Sequence, residues 1–171
     1  MRAVAYLKPL PIEDEQSLVD IEVGRPRPSG RDLLVEVRAV SVNPVDTKRV
    51  GRDDQPGEPK ILGYDAAGIV VETGPDAKLF RPQDAVFYAG AIGRPGSNAE
   101  FQLVDERFVG RKPSSLGFAE AAALPLTSLT AWELIFERIG VSRGANIERR
   151  RFLSWAAPAA SARSPSSSHT D

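Results

Sequence analysis

Leu33-Leu-Val-Glu-Val-Arg-Ala-Val-Ser-Val42 is ten residues of mostly valine and leucine with no glycine or proline inside it. Such a run fits a pleated, half-buried backbone better than a helix. On one side of it Pro26, Pro28 and Gly30 punctuate the chain, and on the other Gly74, Pro75 and Asp76 close the next apolar run, Ala67 to Thr73. Proline and glycine in these places favour turns between strands. Further strands are expected over Ala3 to Leu7, Leu18 to Val23, Ala85 to Tyr88 and Glu100 to Val104. The region up to about Phe108 therefore reads as an all-β barrel or sandwich, which makes the whole chain mainly β with some α.

The texture changes at Leu116. Phe118-Ala-Glu-Ala-Ala-Ala123 is built of strong helix formers, with Gly117 at the N-cap position and Glu120 three residues on, where a capping box needs it. Pro125 is expected to end that helix, and a second one to begin near Ser128. There Leu129, Trp132, Phe136 and Ile139 recur at helical spacing and Gly140 can close the C-terminus. From Ile147 onward the composition is different again: Glu148-Arg-Arg-Arg151, then alanine and proline, then Ser164-Pro-Ser-Ser-Ser168. That stretch lacks the apolar pattern of a core and predicts a disordered tail.

Composition removes several classes of function. The chain has 171 residues, 42% of them hydrophobic, enough for one ordinary core. A net charge of -1 offers no basic face for a phosphate backbone, so nucleic acid is not an expected partner. No run approaches the roughly 20 apolar residues that span a bilayer. The start, with Pro9 and Pro11 soon after Met1, has no signal-peptide core, so a cytoplasmic protein without a membrane partner is expected. There is no cysteine, and the one histidine, His169, sits in the serine-rich end. Disulfides, thiolate metal sites and any zinc mechanism using cysteine and histidine ligands are excluded.

Four stretches carry a resemblance. They are Ser41-Val-Asn-Pro-Val-Asp-Thr-Lys48; Ile61-Leu-Gly-Tyr-Asp-Ala-Ala-Gly-Ile-Val70; Tyr88-Ala-Gly90 with Arg94-Pro-Gly-Ser-Asn-Ala-Glu100; and Ala119-Glu-Ala-Ala-Ala-Leu-Pro-Leu-Thr-Ser-Leu-Thr-Ala-Trp132. In this order and spacing, from Met1 to about Asn146, the chain resembles the medium-chain dehydrogenase/reductases. Within them it is most similar to the zinc-type alcohol dehydrogenase-like branch, close to the quinone oxidoreductases. The resemblance implies a GroES-like β-barrel catalytic domain over residues 1–125, and a linking helix over 126–146 that leads to a Rossmann domain. On this reading residues 147–171 are expected to be an aberrant tail, with the Rossmann domain absent.

The same resemblance implies NADP(H) as cofactor and a quinone, enone or related carbonyl compound as hydride acceptor, with homodimers among full-length relatives. Metal-using relatives carry Cys where this chain has Asn43 and His-Glu where it has Tyr64-Asp65, so no zinc is expected. By analogy Asn43 faces the nicotinamide or the substrate carbonyl, Asp46 and Tyr64 shape the substrate cleft, and Thr127 and Thr130 approach the cofactor. No residue need be a nucleophile, because hydride passes directly between two oriented reactants.

Each assignment has a plainer counterpart. Asn43-Pro44 is a good turn dipeptide, and Asp46 could cap a short helix running to Arg49. Tyr64 could be a half-buried aromatic at a strand start, and Asp65 an ion-pair partner or turn acceptor, the better reading for that residue. Thr127 and Thr130 could cap the helix that follows. Gly93-Arg-Pro-Gly96 reads as a loop, since no strand, glycine-rich turn and helix surround it in the order that aims backbone donors at phosphate.

The family's glycine fingerprint, which binds the pyrophosphate, is not in this chain. Yet Trp155-Ala-Ala-Pro-Ala-Ala-Ser-Ala-Arg-Ser-Pro-Ser-Ser-Ser168 can be encoded so that a shifted frame reads Gly-Gly-Ala-Gly-Gly-Val-Gly-Ser-Ile-Ala-Ile-Gln-Leu. The third codon bases are free choices, but the first two bases of most codons are fixed and permit the fingerprint throughout. A frameshift near Asn146, genuine or introduced in sequencing, is the reading. The chain is then a truncated oxidoreductase, inactive alone. The alternatives are a non-catalytic barrel acting as a binding or oligomerisation module and, on shape alone, a co-chaperonin.

Overall fold

The computed structural model describes residues 1–48 and 58–141. Residues 147–171, Arg49 and Asn146, on which the expectations of a disordered tail, a longer first helix and a frameshift fall, lie outside the described residues. Chain contacts divide the protein into one unit from Met1 to Trp132 and a second that begins at Glu133.

The first unit is built on two antiparallel sheets. β1 (Arg2–Tyr6) lies between β2 (Val19–Glu22) and β4 (Lys60–Ile61) in a three-stranded sheet. The larger sheet holds β3 (Asp32–Ser41), β5 (Asp65–Thr73), β6 (Ala85–Ala89), β7 (Phe101–Asp105) and β8 (Val109–Arg111), in the order β7-β3-β5-β6-β8. The six expected strands are present. Two short strands were not expected, because two or three residues such as Lys60–Ile61 leave no periodicity to read. Both sheets are open, so the architecture is GroES-like without a closed barrel among the described residues.

The run from Leu33 becomes β3, an interior strand between β7 and β5. Leu33, Leu34 and Val35 are fully buried, and Leu33 and Val35 share a core cluster with Ala66, Val70, Val86, Tyr88 and Val104. On the other side of β5, Ala67 meets Ala121 and Ala122 of α2 (Phe118–Ala122). Covering both faces explains why Asp65, Ala66, Ala67 and Gly68 are all buried, a pattern that alternation does not signal. Gly68 is required there: a Cβ would lie 2.2 Å from the Glu36 carbonyl oxygen, beside a register irregularity between β3 and β5.

Glu120 accepts a hydrogen bond from the Gly117 backbone N–H at 2.6 Å, half of the expected capping box, since glycine has no side chain to complete it. Pro125 does not separate a helix from a gap. It opens α3 (Pro125–Trp132), three residues earlier than the expected start at Ser128. Proline suits the first helical turn, where its missing N–H has no partner to lose. In the second unit, Glu133–Arg138 adopts the wider π spacing, held by an Arg138–Glu133 ion pair at 2.8 Å, and Gly140 has φ +73° as a helix-closing glycine does. No helix among the described residues is long and apolar enough to cross a membrane.

Candidate functional site

The register of the large sheet assembles the site. β3 ends with Ser41 opposite Asp65, the first residue of β5, so the chain leaving β3 passes Asp65 two residues later. There Asn43 turns into α1 (Pro44–Lys48). Pro44 takes the first helical position and Asn43 the N-cap, whose carbonyl accepts from the Asp46 N–H at 2.9 Å. Asp46 is therefore not the N-cap. It is the third helical residue, and its Oδ2 accepts the Asn43 backbone N–H at 2.7 Å, the returning arm of a capping box.

The Asn43 side chain does not cap the helix. Its Nδ2 donates to Asp65 Oδ2 at 2.9 Å and, at the limit of hydrogen-bond range, to the Ser41 carbonyl at 3.5 Å. Asp65 Oδ1 accepts the Leu126 backbone N–H at 2.8 Å, which satisfies one of the orphan donors in the first turn of α3. Ser97 Oγ donates to the Asp65 carbonyl at 3.2 Å. Thus Asp65, wholly buried, ties the N-terminus of α1, the edge of β5 and the start of α3 through neutral donors. It is neither the ion-pair partner nor the turn acceptor of the plainer reading: among the described residues no ion pair holds it, and it accepts from donors remote in the chain. Burial pushes its carboxyl above the ordinary 3.8. The Asn43 amide and the Leu126 N–H pull it back, and the nearby charge of Asp46 adds to the rise.

Asn43 and Asp46 are buried, and Asp46 Oδ1 is enclosed without a partner. Tyr64 is half-buried between β4 and β5, and its carbonyl accepts the Gly90 N–H at 2.8 Å. It lines a groove of about 740 Å³ together with Leu62, Ala91, Arg94, Phe101 and Gln102. Asn43 and Asp46 are not among the residues that line that groove. The loop through Gly93 and Arg94 is a loop as expected. It is pinned by paired bonds from Arg94 to Asp32 at 2.9 and 3.0 Å and by Gly96, Ser97 and Asn98 N–H groups bonded to the carbonyls of Ile61, Gly63 and Leu62.

Thr127 and Thr130 are exposed on α3. They are not caps. Their hydroxyls lie inside the helix and donate back to carbonyls, Thr127 to Ala123 and Leu124 at 3.1 and 3.0 Å and Thr130 to Leu126 at 2.9 Å. Each hydroxyl oxygen keeps lone pairs for an incoming donor. Sequence reasoning missed Gln102, whose Oε1 is buried and unpaired, and the Leu126 backbone N–H. A backbone group carries no sequence signal. Gln102 could have been noticed as the one amide in its strand, flanked by Phe101 and Leu103.

The donor set does not suit catalytic zinc. Asn43 offers an amide already engaged by Asp65, Tyr64 a phenol, and no three His, Cys, Asp or Glu side chains gather among the described residues.

Two open sheets, the helix packed on β5 and this cluster at the sheet's end define the N-terminal domain of an alcohol dehydrogenase-type protein. Residues 29–131 match the alcohol dehydrogenase GroES-like domain, and the chain belongs to that family, in the zinc-type alcohol dehydrogenase-like and quinone oxidoreductase part of the medium-chain dehydrogenase/reductases. A zinc-type alcohol dehydrogenase-like protein of Staphylococcus aureus is 42% identical over 142 residues, covering 83% of this chain and 42% of the relative. A Rhizobium etli structure, solved as a candidate zinc-dependent alcohol dehydrogenase, is 61% identical with a TM-score of 0.77, covering 85% of this chain and 43% of that one. The Escherichia coli quinone oxidoreductase complexed with NADPH is 26% identical with a TM-score of 0.70, covering 81% of this chain and 41% of that one. The chain thus spans less than half the length of the proteins it matches.

Proposed function

We propose that residues 1–146 are the substrate-side part of a zinc-independent, NADPH-dependent oxidoreductase that passes hydride to a quinone, an enone or a related carbonyl compound. One observation carries this reading. Where metal-using relatives hold ligands, this chain has a buried amide bonded to a buried carboxylate, Asn43 on Asp65 at 2.9 Å, a donor pair that is not the N/S ligand set of catalytic zinc. NADPH as cofactor is supported by the quinone oxidoreductase complex among the similar structures.

When bound, the nicotinamide supplies the hydride. The residues of this chain orient and enclose. Asn43 sits at the joint of β3, β5 and α3 and faces the nicotinamide side, Asp46 holds the turn that presents it, and Tyr64 lines the groove that admits the acceptor. Thr127 and Thr130 offer acceptor oxygens from α3 to the cofactor. The pyrophosphate site belongs to the part of the relatives that this chain does not cover.

The test is a chimera in which residues 1–146 are joined to the remainder of the Rhizobium etli protein. The reading expects NADPH oxidation that depends on added quinone, reduced about ten-fold or more when Tyr64 is replaced by Ala. A folded chimera that oxidises no NADPH with any quinone or enone sinks the proposal.

A further inference from the structure

We infer that Asp65 is a positioning residue that fixes the polarity of Asn43: the amide nitrogen is held inward, so that Asn43 meets a ligand only as a hydrogen-bond acceptor through Oδ1. The inference rests on the proposed function for the identity of the ligand, but the polarity rests on the hydrogen bonds around Asp65.

An asparagine side chain has one donor end and one acceptor end. Oδ2 of Asp65 stands 2.9 Å from one of them, and an ionised carboxylate only accepts, so that end is the NH2 group. The Ser41 carbonyl, 3.5 Å from the same nitrogen, is also an acceptor and reinforces the choice. Asp65 cannot turn away, because its other oxygen is engaged by the Leu126 N–H at 2.8 Å and its strand position is paired with Ser41 and Ala89. Both donor hydrogens of Asn43 are thereby directed into the protein. Its Oδ1 meets no donor among the described residues.

Two consequences follow for the ligand. A quinone oxygen is an acceptor only, so Asn43 cannot hold it. An O–H or N–H of a nicotinamide nucleoside can be held, which assigns Asn43 to the hydride donor rather than the hydride acceptor. Because Leu126 lies in the first turn of α3, the same carboxylate also sets Asn43 relative to the helix that carries Thr127 and Thr130, all three within the first unit.

Asp65→Asn tests this in the full 171-residue chain. The introduced amide must turn its carbonyl to the Leu126 N–H, leaving its own NH2 facing Asn43, whose amide then has to reverse. By NMR, the Asn43 Nδ2 protons of the unaltered chain are expected to exchange with solvent roughly ten-fold more slowly than in the variant, and to shift as Asp65 titrates. Reduced nicotinamide mononucleotide is expected to move the Asn43 Cγ resonance of the unaltered chain. Duroquinone is expected to leave its Nδ2 protons unmoved and to shift them only in Asp65→Asn.

Nδ2 protons that exchange freely and ignore Asp65, a duroquinone shift at Asn43 in the unaltered chain, or no response of Cγ to the nucleotide each overturn the inference. Should Asp65→Asn not fold, the measurements on the unaltered chain decide it. An inactive chimera leaves the amide polarity standing, whereas an active one with freely exchanging Asn43 protons removes this inference alone.

Discussion

Asp65 concentrates the energetic conflict of the site. A fully buried carboxylate loses hydration that two hydrogen bonds only partly replace, and Asp46 adds a second negative group close by with no cation between them among the described residues. Its carboxyl is consequently raised above 3.8 in the folded state, so the native protein binds its proton more tightly than the unfolded chain does. The stability from this linkage is fully present below the unfolded value and is lost as pH rises through the raised one. Denaturation of the unaltered chain and Asp65→Asn should therefore differ in pH dependence: relative to the variant, the unaltered chain gains stability as pH falls from about 7 toward about 4. A relative loss over that range would show that the hydrogen bonds outweigh burial. Single residues were legible in the sequence where they act through neighbours in the chain, as with Gly117 and Glu120 or Pro44 after Asn43. They were illegible where the partner is remote. Asn43 with Asp65, 22 residues on, and Asp65 with Leu126, another 61 residues on, are the cases that matter.

Strands β3 and β5 form the scaffold that brings those remote residues together, and their close approach depends on small residues. Ala66, Ala67 and Gly68 let one face of β5 meet the Leu33, Val35 and Val86 cluster and the other meet Ala121 and Ala122. Gly68→Ala would put a methyl group 2.2 Å from the Glu36 carbonyl and 2.7 Å from Val35 Cγ1, so one strand must shift. The expected cost is about 1–3 kcal/mol in urea denaturation. Because the shift reaches the Ser41–Asp65 pairing, the Asn43 amide protons should also lose protection; unchanged stability would mean that the bulge absorbs the methyl group without strain. Long apolar runs announced β3 and β5 plainly, whereas β4 and β8 are too short to leave a period, and their pairing partners are set by the tertiary fold. The start of α3 falls earlier than expected because proline reads equally as a helix stop and as a first-turn residue, and only the chain that precedes it decides.

For the whole molecule, fold and family follow from patterns spread along the chain, and both are readable in the sequence. The architecture departs from the expected barrel in that its two sheets stay open among the described residues. Leu129 and Trp132 on α3 remain exposed, apolar residues that the expected linking helix would turn toward a further domain. We propose that this β-rich part serves hydride transfer without a metal. The most direct test is the turnover of the chimera measured with its zinc content, before and after exhaustive chelation. Quinone-dependent NADPH oxidation is expected to be unchanged within about two-fold in metal-free protein, since orientation and not Lewis-acid chemistry drives the step. Activity that disappears with the metal and returns with stoichiometric zinc would contradict it.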